Sequence, residues 1–217
     1  TTQAEGMLPR LPGELREIFS NRSFRILFFS MLIFASSAGL NQALNNHTYV
    51  FVWKLRPETI QVVAYAFLAG ITAGIPITPL MLRRMEKKTA VLWGFFLVIA
   101  PWMVLPGLRA FGVFAPTGDE ALPWLIWSTL IVGVGTGLIF IALPSMMADA
   151  ADEHEFMFGS RREGLYFSGL GFAGKAAAGV GTMVGGFALD LMRFPREVGA
   201  QVGATISEDV VGKLILA

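Results

Sequence analysis

ALPWLIWSTLIVGVGTGLIFIALPSMMA (residues 121–148) contains no aspartate, glutamate, lysine or arginine over 28 residues. A helix that crosses the hydrocarbon core of a bilayer needs about 20 mostly apolar residues. Four further stretches have the same character, at residues 26–53, 59–82, 89–108 and 164–189, and only the last holds a charge, Lys175. A soluble amphipathic helix would carry a charged face along its length. The five stretches therefore predict five transmembrane helices.

The composition of the whole chain supports the same fold class. The 217 residues are 54% hydrophobic and 15% charged, whereas soluble domains average about 25% charged residues. Strands of a membrane barrel would alternate in polarity over about ten residues, and residues 91–99 do not. Because lipid cannot satisfy backbone polar groups, helices are the predicted solution. A net charge of +1 gives no indication of a nucleic-acid partner.

Helix limits and orientation follow from the charged segments. The predicted bundle covers residues 24–198, with helices at about 24–53, 59–83, 89–108, 121–148 and 164–192. Residues 1–23 are predicted to form a cytoplasmic tail or loop, and residues 199–217 an outer loop and the start of a truncated sixth helix. Ten lysines and arginines flank the spans on the amino-terminal side and five on the other. This bias predicts a cytoplasmic amino terminus.

Lys175 is the one charge inside a predicted span. It lies 12 residues after Glu163 and 15 before Asp190, about 18 Å from the nearer charged end at 1.5 Å per residue. A charge at that depth costs at least about 2.5 kcal/mol and usually faces an aqueous cavity or a partner charge. No aspartate or glutamate lies inside the five stretches, so a deep carboxylate partner must come from outside this sequence. Solute binding and a structural ion pair both remain open.

Two asparagines form a polar stripe on the first predicted helix. Asn41 and Asn45 are four residues apart and therefore share one helix face. Their amides could hydrogen-bond the hydroxyls of a solute, or they could join helices to one another within the bundle. The sequence leaves both interpretations open.

The segment after the fourth predicted helix is strongly charged. Its acidic residues recur at a spacing of three, on one face of a helix end, and two arginines follow. We predict an ion-pair gate at the cytoplasmic mouth; the alternative is a solvated loop of weak surface salt bridges. His154 lies among these residues without a second histidine or a spaced ligand set, so no metal site is predicted. The predicted gate residues are Asp149, Asp152, Glu155, Arg161 and Arg162.

These charged motifs also carry a family resemblance. SMMADAADEHEF (145–156), GSRREG (159–164) and the glycine-rich stretch with a central lysine that follows resemble the glycoside-pentoside-hexuronide:cation symporters. That family includes the melibiose carriers and belongs to the major facilitator superfamily. The resemblance extends from Arg10 to the end of the chain and implies helices seven to eleven of twelve, with the twelfth truncated.

The resemblance implies roles for particular residues. Lys175 matches the lysine of the eleventh helix, near the family's sugar and cation sites. Phe140 falls where sugar carriers place a stacking aromatic ring, although it is not tryptophan. Gly171, one turn before Lys175, offers no side-chain hydrogen bond where the family can have a polar residue. The cation-binding carboxylates of the family belong to the amino-terminal half, which this sequence does not include.

The predicted function is cation-coupled symport of a sugar, glycoside or related organic solute by alternating access, in a bacterial inner membrane. The expected partners are the solute, a coupling Na⁺ or H⁺ bound mainly by the amino-terminal half of the same carrier, that half itself, and the lipid bilayer. Two alternatives are a lysolipid or amphiphile transporter of the same superfamily and a non-transporting membrane scaffold. An enzyme is not predicted, because no nucleophile–base set or metal cluster is visible, and no cofactor is expected.

Overall fold

The computed structural model describes residues 11–195 and 206–216, and this part of the chain is helical and contains no β-strand. Residues 1–10 of the predicted tail, residues 196–198 at the end of the predicted bundle and residues 199–205 of the predicted outer loop lie outside the described residues, as does residue 217. Short π- and 3₁₀-helical turns lie at Thr48–Val52 and Gly118–Glu120. The α-helices are α1 Leu11–Ser20, α2 Arg22–His47, α3 Pro57–Leu82, α4 Lys87–Ala110, α5 Leu122–Phe158, α6 Glu163–Leu191 and α7 Glu208–Leu216.

Five of these helices, α2 to α6, are long and apolar enough to cross a membrane. Helix α2 reaches this length together with the π-helical turn that continues it to Val52. The prediction of an all-α membrane fold with five spans is therefore confirmed. Many large apolar side chains on these helices are exposed, as expected for surfaces that contact lipid rather than water.

The most buried helix is α5. Its most apolar stretch is 50% buried, against 17–22% for the corresponding stretches of the other four spans. Helix α5 packs along both α3 and α4, while α2 packs mainly along α6. The spans thus form a three-helix group, α3–α5–α4, beside an α2–α6 pair. An edge-on contact between Phe34 of α2 and Phe95 of α4, with 5.3 Å between ring centroids, is one of the links between the two groups.

Glycines set the spacing within the three-helix group. Gly70 and Gly74 of α3 face Gly133 and Gly137 of α5, so that the two backbones are in contact. A Cβ at Gly74 would lie 2.7 Å from the carbonyl oxygen of Val134. Lipid tails are as apolar as leucine, so helices in a bilayer associate through close packing, and small residues allow it.

The α2–α6 pair is built in the same way. A Cβ at Gly39 of α2 would overlap the carbonyl of Ala178, and one at Gly181 of α6 would overlap the carbonyl of Ser36. Gly185, one turn further along α6, packs on the methyl group of Ala43. Larger side chains at these positions would push the two helices apart.

The predicted end of the fourth helix at residue 148 is wrong. Helix α5 continues for ten residues to Phe158 and ends at Gly159, whose φ of 71° is the left-handed conformation typical of a helix C-cap. The prediction ended the helix at its first charge, but alanines and charged residues continue a helix in water. At 1.5 Å per residue the 37-residue helix is about 55 Å long, so it extends well beyond a 30 Å hydrocarbon core if it is upright.

Part of the segment predicted as a tail is also helical. Residues Leu11–Ser20 form α1, which buries Ile18 against the bundle. Asn21 then caps α2 by accepting a hydrogen bond of 3.0 Å from the backbone N–H of Phe24. At the other end of the chain, α7 lies where the start of a sixth span was predicted.

The glycine contacts lead to a stability prediction. Gly181→Ala is expected to cost about 1–3 kcal/mol of unfolding free energy, because its Cβ overlaps the Ser36 backbone. Gly186→Ala, on the same helix with open space at its Cβ, serves as the matched control and is expected to be neutral or slightly stabilising. Thermal unfolding of the detergent-purified full-length protein measures both. Equal melting temperatures for the two variants would contradict the packing argument.

Candidate functional site

Lys175 is exposed on α6, and no hydrogen bond or ion pair joins it to any residue that the structure describes. It lies on a strip of exposed small or polar residues spaced three and four apart along the helix. The hydroxyls of Ser168 and Thr182 donate to carbonyls of their own helix, at 2.6 and 2.9 Å. Lys175 is therefore the polar group of the strip that is left unpaired within the described residues. The strip consists of Ser168, Gly171, Lys175, Gly179 and Thr182.

The two other faces of α6 have a different character. One face is buried against α2 through Ala177, Gly181 and Gly185. The other carries large exposed apolar side chains suited to lipid: Phe172, Val180, Met183, Val184 and Phe187. The Lys175 strip is thus separate from both the packing face and the apolar face.

Asn41 and Asn45 are half-buried on α2. Helical spacing places them away from the Gly39 face that packs on α6. Within the described part of the chain, their side-chain amides have no hydrogen-bond partner. They are therefore available to a ligand.

Phe140 of α5 is 56% exposed, although its neighbours Leu138 and Ile139 are fully buried. No ring contact involves Phe140 among the residues described. No hydrogen bond, ion pair or ring contact joins Lys175, Asn41, Asn45 and Phe140 to one another, so the structure places these described residues on three helices without assembling them into a closed site. Their role in solute binding stays a prediction.

Arg161 brings several of the predicted gate residues together at the α5–α6 turn. Its guanidinium lies 3.3 Å from Oδ1 of Asp152, 3.9 Å from Oε2 of Glu155 and 3.1 Å from Oε2 of Glu163. We call these four residues the gate cluster. Its side chains are about half exposed, so each pair is worth at most about 1 kcal/mol. The weak pairing is compatible with a contact that breaks and re-forms.

The other two predicted gate residues pair elsewhere. Arg162 lies 3.0 Å from Oε1 of Glu14 on α1. Asp149 accepts 2.7 Å hydrogen bonds at both carboxylate oxygens from Nζ of Lys87, at the start of α4. The five predicted residues therefore fasten the end of α5 to α4 and α6, and the turn before α6 to α1.

The sequence analysis missed a buried polar cluster beside these charges. His154 is completely buried; its Nδ1 lies 3.1 Å from the Tyr166 hydroxyl and its Nε2 3.0 Å from Oε1 of Glu17. Among the described residues, no group of three histidines or carboxylates could hold a metal ion. The signal was available, because Met147, Ala151 and His154 recur at spacings of four and three, the pattern of a buried helix face.

Comparison with known proteins finds two carriers that are similar to this chain. The isoprimeverose transporter of Lactiplantibacillus pentosus is 26% identical over 195 residues, which are 87% of this chain and 37% of that protein. The glucuronide carrier protein homolog of Escherichia coli (strain K12) is 27% identical over 124 residues, which are 57% of this chain and 25% of that protein. The chain thus matches 37% of the length of the first curated relative and 25% of the second. No solved structure is significantly similar to it.

The match to a protein family covers almost the whole chain. Residues 2–217 match the family described as MFS/sugar transport protein. The two relatives are carriers of the type that the charged motifs resemble, so the resemblance to the glycoside-pentoside-hexuronide:cation symporters is confirmed. The chain belongs to the MFS/sugar transport protein family of the major facilitator superfamily.

Proposed function

We propose that this chain forms the second half of a cation-coupled carrier for a sugar or glycoside, which works by alternating access in a bacterial inner membrane. The observation that carries the proposal is Lys175, a lysine in the middle of a membrane span that pairs with none of the described residues. Membership of a sugar transport family and the names of the two relatives support a sugar or glycoside as the solute.

The neighbours of Lys175 on α6 support a position facing water or protein rather than lipid. Glycines and hydroxyls flank it, while the large apolar side chains of α6 lie on another face. A charge at the centre of a span is costly in hydrocarbon, so such residues face a cavity or a partner. We infer that the strip borders the solute cavity and faces the other half of the carrier, which supplies most of the cation site.

Asn41, Asn45 and Phe140 complete the proposed solute contacts from this half. Amides with unused donors and acceptors suit sugar hydroxyls, and an exposed ring suits the apolar face of a sugar. The amino terminus of the chain is proposed to lie in the cytoplasm, on the basis of the lysine and arginine bias. The gate cluster would then close the cytoplasmic mouth.

The proposal predicts solute uptake by the full-length carrier. Membrane vesicles are expected to accumulate labelled isoprimeverose or a labelled glucuronide only while a Na⁺ or proton gradient is imposed. A bound solute should also stabilise the purified carrier by about 2.7 kcal/mol at 100 times its Kd. Uptake of a labelled lysolipid but of neither sugar would favour amphiphile transport. Neither uptake nor thermal stabilisation by any of these solutes would favour a scaffold.

Replacing Lys175 tests its role directly. Lys175→Ala is expected to lower gradient-driven uptake by roughly tenfold or more, since it removes the one deep charge of these spans. Lys88→Ala is the matched control, because Lys88 is an exposed lysine in the first turn of α4, outside the proposed site. Unchanged accumulation and unchanged cation dependence in Lys175→Ala would remove this residue from the mechanism.

The gate cluster has a different kinetic prediction. Arg161→Gln removes the cation that pairs with three carboxylates. We expect the maximal uptake rate to fall roughly three- to tenfold with little change in the half-saturating solute concentration, because weak exposed pairs act on the conformational step. Arg83→Gln, at an exposed turn, is the control. A change confined to the half-saturating concentration would contradict a gating role.

A further inference from the structure

Helix α1 is docked on the bundle and does not hang free from it. Ile18 is 1% exposed and packs in the same apolar cluster as Phe24 and Tyr166. The ring of Phe19 makes edge-on contacts with Phe24 and Phe28, at 5.2 and 5.1 Å between centroids. The apolar side of α1 is thus part of the core at the charged ends of α5 and α6.

Polar contacts hold the same helix to α5 and to the start of α6. Glu17 lies 3.0 Å from His154, and Glu14 lies 3.0 Å from Arg162. Just after α1, the fully buried Asn21 donates hydrogen bonds to the carbonyl of Ala150 at 3.3 Å and to Oε2 of Glu153 at 3.4 Å. Two carboxylates of α1 therefore oppose one imidazole and one guanidinium of the bundle.

A single imidazole connects three helices in this region. When Nε2 carries the proton, Nδ1 of His154 accepts a hydrogen bond from the Tyr166 hydroxyl, and Nε2–H faces Glu17. The Glu17 contact has hydrogen-bond distance but not hydrogen-bond alignment, whereas the Tyr166 contact has both. A small movement of α1 would therefore make or break the Glu17 contact first. We call Glu17, His154 and Tyr166 the α1 clamp.

The α1 clamp is directly connected to the gate cluster. His154 precedes Glu155 in α5 and follows Asp152 by two residues. Tyr166 lies one turn after Arg162, with its backbone N–H bonded to the Arg162 carbonyl at 3.2 Å, and Arg161 comes immediately before Arg162. Any shift in how α5 and α6 are held by His154 must therefore move Arg161 relative to Asp152 and Glu155.

We propose that the α1 clamp positions the α5–α6 turn, so that the docking of α1 controls when the gate cluster forms. His154 and Tyr166 act as positioning residues, since neither contacts the solute residues proposed above. The control of gating rests on the proposed transport function, whereas the positioning of the turn does not. The clamp is built into one half of the carrier, and α1 directly precedes the first span of that half.

A cysteine reporter in the turn tests the positioning directly. The chain contains no cysteine, so Ser160→Cys places a single thiol in this segment, between Phe158 and Arg162. The rate of its reaction with membrane-permeant N-ethylmaleimide is measured in the full-length carrier, stripped of cysteines elsewhere.

Tyr166→Phe removes only the hydroxyl and keeps the ring packed on Phe24, and Glu17→Gln keeps the size of the side chain. Tyr65→Phe on α3, whose hydroxyl accepts from Gln61, is the matched control.

Each clamp variant is expected to raise the labelling rate about threefold or more, because Tyr166→Phe removes a hydrogen bond to His154 and Glu17→Gln removes the negative charge that faces its Nε2. Both variants act through His154, so the labelling rate of the double variant should be little higher than that of the faster single variant. If the two substitutions acted independently, their fold-increases in rate would multiply. Tyr65→Phe should leave the rate unchanged. The proposal would be overturned if the labelling rate were unchanged in both folded single variants. It would also be overturned if the fold-increase of the double variant equalled the product of the two single fold-increases.

Uptake by the same variants separates the clamp from the transport function. Tyr166→Phe is expected to lower the maximal uptake rate without changing the half-saturating solute concentration. If Tyr166→Phe changes the labelling rate but not the uptake rate, the proposal that the α1 clamp controls gating is overturned. If the parent carrier takes up no solute, the proposed function fails, and the labelling rates alone then decide whether the α1 clamp positions the turn.

Discussion

Direct backbone contact between helices is the constraint on which this bundle depends. In lipid no hydrophobic force draws one apolar helix to another, so association relies on close packing. Glycines meet the need at both main interfaces, Gly70 and Gly133 between α3 and α5, and Gly39 and Gly181 between α2 and α6. Since a methyl group at any of these positions would overlap a backbone, the helix order and spacing follow from where the glycines lie.

The same packing decides which residues are left for function. Helix α6 uses its glycine face for α2 and presents its large apolar side chains elsewhere, which leaves the Lys175 strip uncommitted. Helix α2 likewise uses Gly39 for packing and leaves Asn41 and Asn45 without partners in the described part of the chain. The candidate solute residues are therefore those that the bundle does not need for its own cohesion.

At the charged end of the bundle, ion pairs and hydrogen bonds join the helices. Here α5 extends beyond the predicted span, and its carboxylates are held by exposed arginine and lysine pairs of low strength. Beneath them, His154 is completely buried between Tyr166, whose hydroxyl is within hydrogen-bond distance of Nδ1, and Glu17, whose carboxylate lies 3.0 Å from Nε2. Weak exposed contacts around a buried polar centre suit the proposed gate, since exposed pairs can rearrange at little cost.

The sequence alone determined the five spans, because apolar stretches of 20 residues or more with at most one charge reflect the thickness of a bilayer directly. It also singled out Lys175 and the charged motifs, since both depend on residue type and spacing. It could not show that α5 runs to Phe158, because charged residues end an apolar stretch without ending a helix. Nor could it show that Glu17, Tyr166 and His154 meet: they are separated by 137 residues from Glu17 to His154, and only the folded chain brings α1 onto α5 and α6.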